Sequence, residues 1–176
     1  MDIREKKTKR SIYNAFLELR SKKQLEKITV KELSEAAEIS KATFYLHYKD
    51  IYDLSEQLQS KVLQDIIDEI PNPDLFLNNP AEAHKILQTA FLSNQTLISI
   101  LFSGNQVSVL PTNIEIELKK SIFEAHPELK NDVRINTSLT FLIMGGFYAY
   151  INNSRYFPSG DVSVAMEEIL SQYRKD

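Results

Sequence analysis

Apolar residues recur at helical spacing along nearly the whole chain, and the strict alternation that marks a half-buried strand is almost absent. Within residues 8–22, Ile12, Ala15, Phe16 and Leu19 fall at i, i+3, i+4 and i+7, which places one apolar stripe on a first helix. Thr29 precedes Val30-Lys31-Glu32-Leu33, and Thr-x-x-Glu is a capping box: the hydroxyl takes the amide of Glu32 while Glu32 reaches back. A second helix therefore runs from Val30 to about Ala37. Ser40 caps a third, Lys41 to Tyr48, only two or three residues later. Asp50 caps a longer fourth helix, in which Leu54, Leu58, Val62 and Ile66 repeat every four residues and Leu63, Ile67 and Ile70 widen the stripe. Pro71 and Pro73 end it.

The remainder reads as further helices, about nine in all. They cover residues 80–91, 95–102, a stretch capped by Thr112 or Asn113 and closed by Pro127, then 131–152 and 161–173, with a loop over 104–111. The segment 131–152 becomes apolar on all sides toward its C-terminal half and must be covered on more than one side. Val162, Met166, Ile169, Leu170 and Tyr173 stripe the last helix. The predicted fold is all-α, a three-helix head over residues 1–50 joined by the long fourth helix to a helical body over 51–176.

Charge separates the same two parts. Residues 1–50 hold 12 Lys/Arg against 8 Asp/Glu, whereas residues 51–176 hold 9 against 16. A basic segment on an acidic body points to a polyanion partner for the first part alone. Lys6, Lys7, Lys9 and Arg10 lie at the start of the first helix, where the dipole favours acidic residues, so helix stability explains them poorly. External phosphate explains Lys9 and Arg10 better.

Several function classes drop out. The chain has no Cys, so disulfides, Cys-based zinc sites and thiol catalysis are excluded. His47, His84 and His126 are scattered without metal spacing, and there is no Gly-rich phosphate loop or nucleophile elbow. Asp65, Asp68 and Glu69 read as a solvated face. No enzyme, cofactor or metal is expected. The N-terminus lacks an apolar signal region, and the longest apolar run, Leu139 to Ile151, is too short to span a bilayer. A cytoplasmic protein with no membrane partner is expected.

Helix, tight turn and helix within residues 29–48, with a supporting helix before them, is an arrangement whose second helix can enter a DNA major groove. On a helical wheel Phe44 and Tyr48 face the small core with Ile39, Leu33 and Phe16. Ala42, Thr43 and Leu46 lie on the opposite arc, flanked by Lys41, Tyr45 and His47. The polar members are phosphate-contacting types. Ala42 permits close approach, Thr43 can bond or touch a thymine methyl, and an outward Leu46 has an apolar use in the groove.

The run Ile28-Thr29-Val30 through Leu33, then Ile39 to Lys49 and Leu54, resembles the DNA-binding signature of TetR-family transcriptional regulators over residues 8–56. The resemblance implies a homodimer whose two heads read a palindromic double-stranded operator, with a helical body that dimerises and holds a small-molecule or protein effector. It implies that Thr29, Tyr45, His47 and Lys49 hold phosphates, while Ser40, Lys41, Ala42, Thr43 and Leu46 meet or approach bases. A repressor released by its effector follows; a coactivator or protein-partner module without small-molecule control is the alternative. The family usually has glycine at the end of the first helix and in the turn, where this chain has Lys23 or Gln24 and Glu38. A lysine common at the start of the fourth helix is Ile51 here. A non-glycine residue at a positive-φ turn costs on the order of 1 kcal/mol.

For the body, dimerisation through helices 131–152 and 161–173 as a four-helix bundle buries the surplus apolar surface. Gly145-Gly146 lets helices approach. A ligand pocket is expected among Phe91, Leu101, Phe102, Leu118, Ile122, Phe141, Met144 and Tyr148.

Overall fold

The computed structural model describes residues 3–172, and every regular element among them is helical. The α-helices are α1 (Ile3–Lys22), α2 (Val30–Ala36), α3 (Lys41–Tyr45), α4 (Ile51–Ile67), α5 (Leu75–Asn78), α6 (Pro80–Ser93), α7 (Gln95–Leu101), α8 (Leu110–Ala125), α9 (Val133–Asn153) and α10 (Ser159–Ser171). Single 3-10 segments occur at Leu25–Lys27, Gly104–Val109 and Pro127–Leu129.

Caps explain most of the starts. Thr29 Oγ1 accepts the Glu32 amide at 3.2 Å, and Ser40 Oγ accepts the Thr43 amide at 3.0 Å. Asp50 accepts the Asp53 amide at 2.8 Å while the Asp53 carboxylate accepts the Lys49 amide at 2.8 Å, a reciprocal cap. Asp132 takes the amides of Arg134 and Ile135.

Several boundaries differ from the sequence reading, among them the end of α4, which stops at Ile67 before Pro71. The first helix begins at Ile3 rather than near Thr8, helped by a Glu5–Lys9 ion pair at 2.9 Å one turn apart. α3 stops at Tyr45, because the chain must turn through Leu46 to Lys49 into the cap of α4. Residues 104–111 are not a loop: a 3-10 segment runs into α8, whose first turn holds Pro111 at a position that needs no amide donor. α10 begins at Ser159, so Gly160 lies inside it. The helix beyond the expected nine is α5, one turn anchored by buried Phe76. Tyr173, assigned to the last stripe, lies outside the described residues.

The chain divides into two compact units. The first comprises the chain up to Lys61 together with Thr96–Val107; the second comprises Val62–Gln95 and the chain from Ser108 onward. The division thus falls inside α4, beyond the residue 50 boundary drawn from sequence, and a later segment joins the first unit.

In the first unit Ile12, Phe16, Leu33, Phe44, Leu54 and Leu101 are fully buried. Two polar side chains join them. Arg20 donates to Lys23 O at 2.8 Å, to Ser103 Oγ at 2.7 Å and to Ser103 O at 3.3 Å. Gln59 donates to Leu101 O at 3.0 Å and to Gln106 Oε1 at 3.2 Å. Those bonds let Gln59 take a core position on α4 while Leu58 stays half-buried, which shifts the expected stripe by one residue.

In the second unit α6 packs on α5 and α10, and α9 packs on α8 and α10. Leu118, Ile122 and Leu139 are fully buried there, and Gln88 bonds Ser163 across α6 and α10 at 2.6 Å. α9 buries Leu139 and Ile143 but leaves Phe141 62% and Tyr148 49% exposed.

Candidate nucleic-acid interface

The turn between α2 and α3 is where the local chain has least freedom. Ile39 donates its amide to Ser34 O at 3.0 Å and Glu38 donates to Glu35 O at 3.2 Å, the paired bonds of a Schellman motif. The motif needs a left-handed residue at Glu38, which sits at φ 56, the single non-glycine residue with positive φ among those described. The expected strain at this position is therefore present. The other position where a glycine is common needs none, since Gln24 is extended at φ −66 and ψ 151. Only half of the expected capping box forms around Thr29, because the Glu32 carboxylate is engaged by the Lys23 ammonium.

Phe44 is fully buried and Tyr48 nearly so, their rings 5.7 Å apart. They fix α3 and leave Lys41, Ala42, Tyr45 and Leu46 in solvent. Tyr45 is 58% exposed and Leu46 80% exposed. Thr43 and His47 are half-buried at the edges of this arc. Burial holds the Tyr48 phenol above its ordinary range, against the nearby Lys9 charge. Phe44 and Tyr48 face inward and Ala42 and Leu46 outward as the wheel places them, but Thr43, placed on the outer arc, is half-buried, and Lys41 and Tyr45, placed on its flanks, are exposed.

Of the remaining predicted contacts, Thr29, Ser40, Lys49 and Arg10 are exposed. Lys9 is half-buried and ion-paired; its hydrogen bond to Glu5 raises the lysine and lowers the carboxylate relative to their ordinary values. The Glu5 carboxylate also feels His47, and the Lys9 charge feels Tyr48, so the first turns of α1 lie beside the end of α3. The arrangement presents cations and hydroxyls around an apolar patch. Ile51 is a core residue, which accounts for an apolar side chain there.

The sequence reading missed Arg20 and Gln59. A signal existed for the first: Arg20 is four residues beyond Phe16 and eight beyond Ile12, on the buried stripe of α1. Burial lowers the Arg20 guanidinium from its usual value, while Glu26 opposes that shift.

The eight side chains grouped as a pocket serve different purposes. Leu101 and Phe102 are core residues of the first unit, and Leu118 and Ile122 are core residues of α8. Phe141 and Tyr148 lie open on α9, with Phe91 and Met144 half-buried. An open depression of about 410 Å³ between α8 and α9 takes only Phe141 from that set, alongside Lys119, Asn136, Thr137 and Thr140. No group of His, Asp or Glu able to hold a metal ion occurs among the described residues. No helix among them is long and apolar enough to cross a membrane.

No protein-family model matches the chain, and no curated protein sequence matches it.

Proposed function

We propose that the chain is a sequence-specific DNA-binding transcriptional regulator of TetR type, acting as a homodimer, with α2 and α3 as its helix-turn-helix and α3 as the recognition helix. One observation carries the reading. A five-residue helix anchored by Phe44 and Tyr48 leaves on its outer arc Lys41, Ala42, Tyr45 and Leu46, whose exposure no packing requirement explains. Lys9, Arg10, Thr29, Tyr45, His47 and Lys49 then meet phosphates, and Ser40, Lys41, Ala42, Thr43 and Leu46 approach bases. Repression released by a small-molecule or protein effector is the regulatory form we assign.

Dimerisation rests on α9 and α10. Phe141, Tyr148 and Ile151 on α9 and Val164 and Ile169 on α10 are exposed, and a two-fold copy of the same helices covers them in a four-helix bundle. Two copies also match the near-palindromic form of an operator. The same patch supports a second reading, a coactivator or protein-partner module without small-molecule control, because Tyr156 and Phe157 in the α9–α10 connection are exposed as well.

The test is selection from a randomised duplex pool over a range of salt concentrations, with wild type beside Tyr45→Ala/His47→Ala. Enrichment of a palindrome, weakening with salt by a log–log slope of about −0.9 per neutralised phosphate and lost in the double variant, is expected. No enrichment at low salt overturns the reading in favour of a protein partner.

A further inference from the structure

The groups α3 leaves without a partner restrict what it can read. Residues 40–48 contain no Arg, Asn, Gln, Asp or Glu, the types that pair with guanine, adenine and cytosine edges in the major groove. The two hydroxyls of the segment are turned on each other: Ser40 Oγ and Thr43 Oγ1 lie 2.8 Å apart, and Ser40 Oγ also accepts the Thr43 amide. That contact occupies one hydrogen-bonding position of the Thr43 hydroxyl, which keeps acceptor capacity, and Thr43 carries its methyl beside it. Leu46 follows Ala42 by four residues, so the two lie one above the other on the exposed arc. Every other described leucine of the first unit is buried or half-buried, and Leu46 alone stands 80% in solvent.

Resting on the DNA-binding reading above, we infer that this chain recognises its half-site through thymine methyl groups, read by Ala42, Thr43 and Leu46, with Lys41 as the single long donor. The thymine C5 methyl is the apolar feature of the major-groove edge. An apolar strip laid against a G·C pair covers as many polar groups as it does on an A·T pair but meets no methyl, so the methyl contact is what selects thymine. The half-sites are therefore rich in A·T pairs where Leu46 docks, with any guanine confined to the reach of Lys41.

The experiment takes the palindrome selected by the full chain and replaces each thymine singly with uracil, which removes the methyl and keeps every hydrogen-bonding group. Affinity is expected to fall about fourfold per contacted methyl, the worth of one buried carbon. In Leu46→Ala, a surface change that leaves the core intact, the uracil penalty is expected to vanish at one position per half-site and persist at others. A palindrome bound equally well with thymine or uracil throughout overturns the inference while leaving the DNA-binding reading in place. So does a guanine-rich half-site whose selection depends on Lys41. Failure to enrich any duplex overturns both.

Discussion

The two units leave their apolar side chains in solvent for different reasons. In the first, the core is closed by short capped helices and two bonded polar side chains, Arg20 and Gln59, and the exposed Tyr45 and Leu46 sit together on one short helix and its cap. In the second, long helices pack in pairs, and the outer faces of α9 and α10 carry Phe141, Tyr148, Ile151, Val164 and Ile169 in the open. A small exposed cluster held by a rigid turn suits contact with a ligand surface, while a broad bare face on long helices suits a second protein surface. The first unit also exposes Ile3, Tyr52 and Val107 at other places, so the contrast lies between the Tyr45–Leu46 pair at one short helix and the five side chains carried by two long ones.

The largest expected effect tests whether the first unit closes as described. Phe44→Ala opens a cavity in a small core and should cost about 3–5 kcal/mol, seen in urea as early loss of the helices around α3. Tyr148→Ala, a similarly large truncation of an exposed side chain on α9, should cost the isolated chain less than about 1 kcal/mol. Equal losses from the two substitutions in dilute protein would erase the contrast.

Arg20→Met comes next. It removes the donors to Lys23 and Ser103 and should destabilise the first unit by about 2–3 kcal/mol, with hydrogen exchange rising around residues 101–106. Unchanged exchange there would mean that the guanidinium does not hold the segment.

Sedimentation sharpens the other side of the comparison. Wild type should sediment as a dimer and Phe141→Asp/Tyr148→Asp as a folded monomer, with the helical signal retained. A wild-type chain that stays monomeric at high concentration would assign the face to a different protein.

Smaller again is Glu38→Gly. Relief of the left-handed residue should raise stability by about 1 kcal/mol and the melting temperature by a few degrees; a loss of stability would show that the Glu38 side chain compensates its own strain. The smallest effect is in pH, and two histidines of the second unit work against each other. The hydrogen bond to Asp74 raises His126, so its contribution is full below pH about 6.5 and is lost as pH rises through the raised value. Burial lowers His84, whose Nε2 has no hydrogen-bond partner, so the fold loses stability as pH falls through about 6.5. Melting curves at pH 5.5 and 8 should therefore separate in opposite directions for His126→Gln and His84→Asn, and parallel shifts would contradict the assignments.

Much of the first unit was legible because its signals are local. Thr29, Ser40 and Asp50 cap through hydrogen bonds that span three residues, and the spacing of Phe44 and Tyr48 on α3 requires no knowledge of the rest of the chain. The left-handed Glu38 is flagged through the family resemblance, whose members usually have glycine in this turn. The pocket was not legible, since Leu118, Phe141 and Tyr148 have the same apolar spacing whether they face a core, a cavity or solvent. Nothing local marks Gln59 as a core residue, because its partners Leu101 and Gln106 are more than forty residues away. The return of residues 96–107 to the first unit depends on the same distant bonds together with that of Arg20 to Ser103.

By itself the sequence determined the helical class, the capped helix starts at Thr29, Ser40 and Asp50 and the outward side of α3, all of which rest on interactions within one or two helical turns. Only the tertiary structure decided which polar groups are buried, where one unit ends inside α4, and that Phe141 and Tyr148 lie outside rather than within. Those outcomes depend on pairs of residues far apart in the chain, and no local periodicity carries the identity of a distant partner.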